Sequence, residues 1–207
     1  ELKVGKVTLI GHSMGGMLAM HWALLAREDI EQLILVNPIG LEDWSAKGVP
    51  YRGVDEWYAK ELKTDAESIA AYQKNFYYDG KWSPEYARWA SLLAAPVSSP
   101  DYPRLARVQA LTTAMIVSQP VAHRFEDLRV PTTLILGLRD RTALDKDLAP
   151  PLLSQELGRY DRLGEEVVSQ IPKARLITLD NLGHLPHVED FPRFRKALLD
   201  ALASTAP

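Results

Sequence analysis

The chain has 207 residues, of which 46% are hydrophobic and 25% charged, with a formal net charge of −3 at pH 7. That is ordinary for a globular protein of one domain plus an insertion, and it offers no basic footprint for nucleic acid or anionic lipid. Cysteine is absent, which excludes disulfides and thiolate metal sites, and no apolar run approaches the ~20 residues of a membrane span.

The chain opens on Glu1 rather than Met and enters a strand almost at once, so the true N-terminus is expected upstream, together with any targeting segment. Localisation is left open, with a cytoplasmic leaning that an upstream export signal would overturn. Val7-Thr8-Leu9-Ile10 is β-branched and apolar on both faces, as suits a strand inside a parallel sheet. Residues 15–26 are rich in helix formers, apolar nearly all round, and predict a buried helix ended by Arg27-Glu28-Asp29. A second strand, Gln32-Leu33-Ile34-Leu35-Val36, closes at Asn37-Pro38, so the unit reads as a right-handed parallel crossover.

The tone then changes. Residues 41–126 are helical in character, punctuated by proline, and hold four Trp, seven Tyr and two Phe, 13 of the 17 aromatic residues in the chain. They read as an insertion into a core made of 1–40 and 127–207. Additional packing helices are the plainer alternative. Strand patterning resumes over Val130–Gly137 and again over Ala174–Leu179, and an amphipathic helix follows Pro192.

The chemistry concentrates at Gly11-His12-Ser13-Met14-Gly15-Gly16, between a strand and a helix. A strand-to-helix turn this sharp lifts its central side chain out of the sheet, and small residues at Gly11 and Gly15 are expected where backbones pass closely. The helix behind it aims its N-terminus at the turn, so the backbone N–H of Met14 is an oxyanion donor. A serine hydroxyl needs a base. Of five histidines, His184 is favoured because it follows Gly183 immediately beyond the last strand. His187 is the rival, and His12 is expected to turn its side chain away from the serine. His21 is expected to be packed, and His123 belongs to the insertion. The base needs a carboxylate to fix its tautomer. Asp140 directly follows the strand ending at Gly137, where an open α/β sheet gathers its site residues, with Asp145 and Asp147 as backups. Ser13, Asp140, His184 is the nucleophile–acid–base order of one known fold.

Three blocks carry a resemblance: Gly11–Gly16, Val130–Asp140 and Gly183–Phe194. In combination the chain resembles the α/β-hydrolase superfamily, in its lidded esterase, lactonase and carbon–carbon-bond hydrolase branch. The resemblance implies an α/β fold with a mostly parallel sheet and flanking helices. It further implies a triad of Ser13, Asp140 and His184, and a helical cap over 41–126. It also implies that about four strands and an early His-Gly loop, which supplies the second oxyanion donor, are missing before the elbow strand. The 207-residue piece is then expected to expose an apolar sheet edge and to be a poor catalyst alone.

The expected activity is hydrolysis of a small or medium carboxylic ester or lactone through an acyl-enzyme. Carbon–carbon cleavage of the meta-cleavage-product type by the same triad is the alternative, and a non-catalytic binding module the further one. No cofactor is expected. A metal cluster of His184, His187 and Asp180 is the competing reading of the last loop. The expected partner is a small-molecule ester or related carbonyl compound, with no nucleic acid and no membrane span.

Overall fold

The computed structural model describes residues 5–204. Four strands, β1 (Val7–His12), β2 (Ile30–Val36), β3 (Thr132–Gly137) and β4 (Ala174–Leu179), form one sheet in the order β1-β2-β3-β4, every pair parallel. Leu35 stands beside Gly11 on one side and Leu134 on the other, and Leu134 beside Leu176, so the four C-terminal ends fall at one edge. The central strands are buried on both faces, which is why they read as unbroken apolar runs.

The chain divides into two compact units. The first takes the described residues of Glu1–Asp43, Pro120–Ala143 and Glu156–Pro207. It holds the sheet with helix α1 (Met14–Leu25), and the later helices α7 (Tyr160–Val168), α8 (Pro186–Glu189) and α9 (Phe191–Ala203). Strand alternation sorts the core. Ile34, Val36 and Ile135 cluster with Phe194, Ala197 and Ala201 of α9. Leu136, one residue on, meets α7, where a Cβ on Gly164 would lie 2.9 Å from its Cδ1. Leu33, Ile34, Leu35, Leu134, Ile135 and Leu136 are all fully buried, each contributing roughly 1.5–3 kcal/mol. Helix α7 fell outside the elements read from sequence. It buries Tyr160, Leu163, Gly164 and Val167 on one face.

At the sheet edge, β1 pairs with β2, and among the described residues no strand lies on its other side. Ile10 is 47% exposed there, and Trp22 of α1 is 56% exposed. Among the described residues no helix is long and apolar enough to cross a membrane.

The second unit comprises Trp44–Gln119 and Leu144–Gln155. It therefore takes in a segment beyond the 41–126 read from sequence. Its main helices are α2 (Val54–Glu61), α3 (Ala66–Tyr72), α4 (Pro84–Ala94) and α5 (Tyr102–Ser118), with α6 (Pro151–Glu156) at the end of the added segment. Several prolines that punctuate this stretch begin helices: Pro84 and Pro103 occupy first-turn positions, where a missing N–H costs nothing. The added segment is tied in by Arg52, which meets Asp145 at 2.8 Å and Asp147 at 2.5 Å. Arg52 and Lys60 also lie over the Trp57 ring, each 4.8 Å from its centre.

Candidate active site

The backbone of Ser13 is fixed before its side chain can matter. Its amide donates to the Val36 carbonyl at 3.1 Å, and its own carbonyl accepts from Gly16, Ile39 and Met17 at 3.0, 3.1 and 3.2 Å. The turn holds Ser13 at φ 54° and ψ −123°, a strained conformation for an L residue that costs on the order of 1–3 kcal/mol. Crowding enforces the glycines, though not both of those expected. A Cβ on Gly11 would lie 2.4 Å from the Gly15 carbonyl oxygen, and one on Gly16 would lie 2.6 Å from Pro38 Cβ. A Cβ on Gly15 would meet nothing within 4 Å. The peptide of Gly15, rather than its side-chain position, fills the space beside Gly11. Met14 opens α1 directly behind the serine.

Asp140 stands in the turn after β3, where its amide donates to the Gly137 carbonyl at 3.1 Å. Its carboxylate is fully buried. Oδ1 accepts from the Thr142 amide at 2.8 Å. Oδ2 accepts from His184 Nδ1 at 2.7 Å and from Asn37 Nδ2 at 2.9 Å. Burial opposes ionisation, but the adjacent His184 and the Thr142 hydrogen bonds outweigh it, and the Asp140 carboxyl sits below the usual range. A His184 Nδ1–H donated to this carboxylate leaves Nε2 as an acceptor, and Nε2 lies 2.9 Å from Ser13 Oγ.

Asn37 escaped the sequence reading, which treated it as the end of a strand. It is wholly buried at the C-terminus of β2, with φ 38°. Its Oδ1 accepts from the Gly137 amide at 2.9 Å, and its Nδ2 reaches the Gly137 carbonyl at 3.3 Å as well as Asp140. Tyr160 of α7 holds the next residue by donating to the Pro38 carbonyl at 2.8 Å. A polar residue ending a buried parallel strand was the available signal.

The loop that carries His184 is gripped from the side. Glu189 Oε1 accepts from the Gly183 amide at 2.6 Å, while Glu189 Oε2 pairs with Arg139. Arg139 also donates from its backbone to Leu182 at 2.9 Å and from Nε to the Asn181 carbonyl at 3.3 Å. A Cβ on Gly137 would lie 2.3 Å from the Gly183 carbonyl oxygen, so β3 and this loop are in backbone contact.

The remaining candidates go elsewhere. The His187 ring packs against His12 and Phe194, at 4.9 and 5.6 Å between centres, and burial followed by His184 holds its pKa down. His123 pairs with Asp43 at 2.6 Å, and His21 lies within α1. Asp145 and Asp147 engage Arg52 in the second unit. Among the described residues no group of three His, Cys, Asp or Glu side chains is arranged to hold a metal ion. His184 faces Ser13 and Asp140 instead, and Asp180 offers its backbone carbonyl to Arg193 at 3.1 Å.

A family model described as the alpha/beta hydrolase family matches residues 1–197. The chain belongs to that family. Among solved structures, this hydrolase-family chain is similar to a probable hydrolytic enzyme from Pseudomonas aeruginosa PAO1. The two are 46% identical with a TM-score of 0.94, over 97% of this chain and 64% of that one. Among curated proteins it is 25% identical to the 2-hydroxy-6-oxononadienedioate/2-hydroxy-6-oxononatrienedioate hydrolase of Comamonas testosteroni. It is 24% identical to the 2-hydroxy-6-oxo-6-phenylhexa-2,4-dienoate hydrolase of Burkholderia cepacia. Each of these matches covers 98% of the chain and 65% of the relative, so the chain spans about two thirds of their length. An esterase from Exiguobacterium antarcticum shares the fold at 20% identity and a TM-score of 0.68.

Proposed function

We propose that Ser13 is the nucleophile, His184 the general base and Asp140 the orienting acid of a serine hydrolase, with the Met14 N–H as an oxyanion donor. The substrate we assign is a small or medium carboxylic ester or lactone. One observation supports this above the others: an unbroken path of short contacts from Ser13 Oγ through the His184 ring to a buried carboxylate, 2.9 and then 2.7 Å. In such a site His184 takes the hydroxyl proton as Oγ attacks the carbonyl carbon. The Asp140 charge stabilises the imidazolium, and the tetrahedral oxyanion accepts from Met14 at the start of α1. Collapse expels the alcohol, which leaves with the proton held by His184. Water, deprotonated by the same imidazole, then releases the acid and restores Ser13.

A second reading has its own support. The two curated relatives above are named as hydrolases of 2-hydroxy-6-oxo dienoates, which favours carbon–carbon cleavage by the same three residues. Turnover of p-nitrophenyl esters by the full-length protein, set against turnover of a 2-hydroxy-6-oxo-dienoate, separates the two. Ser13→Ala should abolish whichever is found. Absence of Ser13 labelling by a fluorophosphonate probe would remove both readings. The cap role of 41–126 is carried over from the family resemblance: exchanging that segment should change the substrate range and leave fluorophosphonate labelling of Ser13 intact.

A further inference from the structure

His12 stands next to the nucleophile and has no part in the chemistry proposed above. Its side chain goes to a defined place. The ring Nε2 lies 2.7 Å from the backbone carbonyl oxygen of His184. A carbonyl can only accept, so Nε2 carries the proton and donates it. The ring is half enclosed, its centre 5.0 Å from that of His184 and 4.9 Å from that of His187. Burial, with the neighbouring His184 next, pushes its pKa down to about 4. It is therefore a neutral imidazole at ordinary pH, with one N–H and that N–H spent on the base's own peptide.

Two consecutive residues thus hold one. Ser13 meets the His184 ring at 2.9 Å, and His12 meets the His184 backbone at 2.7 Å. The base sits on a loop, Leu182–Leu185, that follows the far edge strand β4, while the nucleophile follows β1 at the opposite edge. Between them lie two intervening strands, through which small displacements would accumulate. The His12 bond bypasses that route and refers the base's backbone to the elbow peptide itself.

We propose that His12 is a positioning residue for the hydrolytic reaction: its Nε2–H grips the His184 carbonyl and so sets the separation between Ser13 Oγ and His184 Nε2. This rests on the reading of Ser13 and His184 as nucleophile and base. The bond acts equally on bound and unbound enzyme, so its loss should lower kcat and leave KM alone.

The test is a matched pair of amides in the full-length protein, with p-nitrophenyl acetate turnover and the rate of fluorophosphonate labelling as readouts. The H12Q amide nitrogen can reach the place of Nε2, whereas that of H12N falls short. Both put similar polarity into the same space, so a general loss of packing would move them together. Because misplacing a catalytic group by ~1 Å can cost about 10²-fold, H12N should lose roughly 30-fold in kcat and labelling rate, with KM within about twofold. H12Q should stay within about threefold of wild type on the same scale. Equal kcat in H12N and H12Q overturns the role of His12 and leaves the catalytic reading standing. A wild-type protein that neither labels nor turns over any ester or dienoate overturns both together.

Discussion

Asn37 and Asp140 meet at the adjoining ends of β2 and β3, with Asn37 Nδ2 2.9 Å from the same carboxylate oxygen that receives His184. The asparagine is also bound to the Gly137 amide and carbonyl, so it fixes the turn and the carboxylate at once. Asn37→Ala should lower stability by about 2–4 kcal/mol, since three groups lose a partner and a buried group left without one costs roughly 1–3 kcal/mol, while the Gly137 carbonyl and Asp140 Oδ2 each keep another partner. Urea unfolding measures this. Asn37→Asp tests the electrostatics. A second carboxylate against Asp140 raises the apparent pKa of the pair, so the acid limb of the kcat/KM profile should move to higher pH. An unchanged limb would mean that the two side chains do not interact in the working enzyme.

The elbow glycines should behave differently from one another. Gly11→Ala drives a Cβ to within 2.4 Å of backbone, which flexible side chains cannot relieve, and should cost about 3 kcal/mol and most of the activity. Gly15→Ala meets open space in the first turn of α1. It should keep fluorophosphonate labelling within a few-fold and gain up to about 1 kcal/mol of helix propensity. Thermal melts and labelling rates of the two variants decide the matter.

Glu189 grips the loop before His184 through the Gly183 amide and is in turn held by Arg139, beside Asp140. Its side chain is 7% exposed. Glu189→Ala should therefore cost about 2–4 kcal/mol, as for a largely buried pair broken from one side. It should also lower kcat more than tenfold through the loosened His184 loop. Glu189→Gln keeps an acceptor for Gly183 and should fall between the two. Wild-type kcat in Glu189→Ala would assign this contact to stability alone.

Acid should destabilise the fold before it reaches the carboxylates. His12 in the folded chain is neutral down to about 4, against 6.5 for an ordinary histidine. The unfolded chain therefore binds the extra proton first as pH falls. The stability due to neutral His12 is complete above pH 6.5 and drains away between there and about pH 4. His187 is shifted in the same direction. Between pH 7 and pH 4.5 wild type should lose about 2 kcal/mol more than H12Q by urea unfolding. Identical losses would mean that His12 does not titrate against folding. The depressed Asp140 carboxyl adds a further loss only below the ordinary carboxylate range near 3.8.

Much of this was written locally. Apolar runs bounded by Gly11, Pro38 and Gly137 determined three strands, and for β2 and β3 their burial, because a parallel strand covered on both faces has no room for polar residues; β1, read the same way, lies at the sheet edge with Ile10 exposed. The elbow was legible because a strand, a Gly-x-Ser-x-Gly turn and a helix are contiguous, and His184 and Asp140 because each stands in the loop after a strand. Helix α7 was also legible in principle, from Tyr160, Leu163, Gly164 and Val167 at helical spacing. What the chain could not declare were contacts between residues far apart in sequence. Asn37 looks like a strand end until Gly137 and Asp140, about a hundred residues on, are folded against it. His12 looks incidental until the carbonyl of His184, 172 residues away, arrives at its ring. Residue type and local pattern named the groups proposed to react, since those depend on chemistry carried by single side chains. Only the tertiary structure decided what holds them in place, since a hydrogen bond's direction and length exist only once both partners have been brought together.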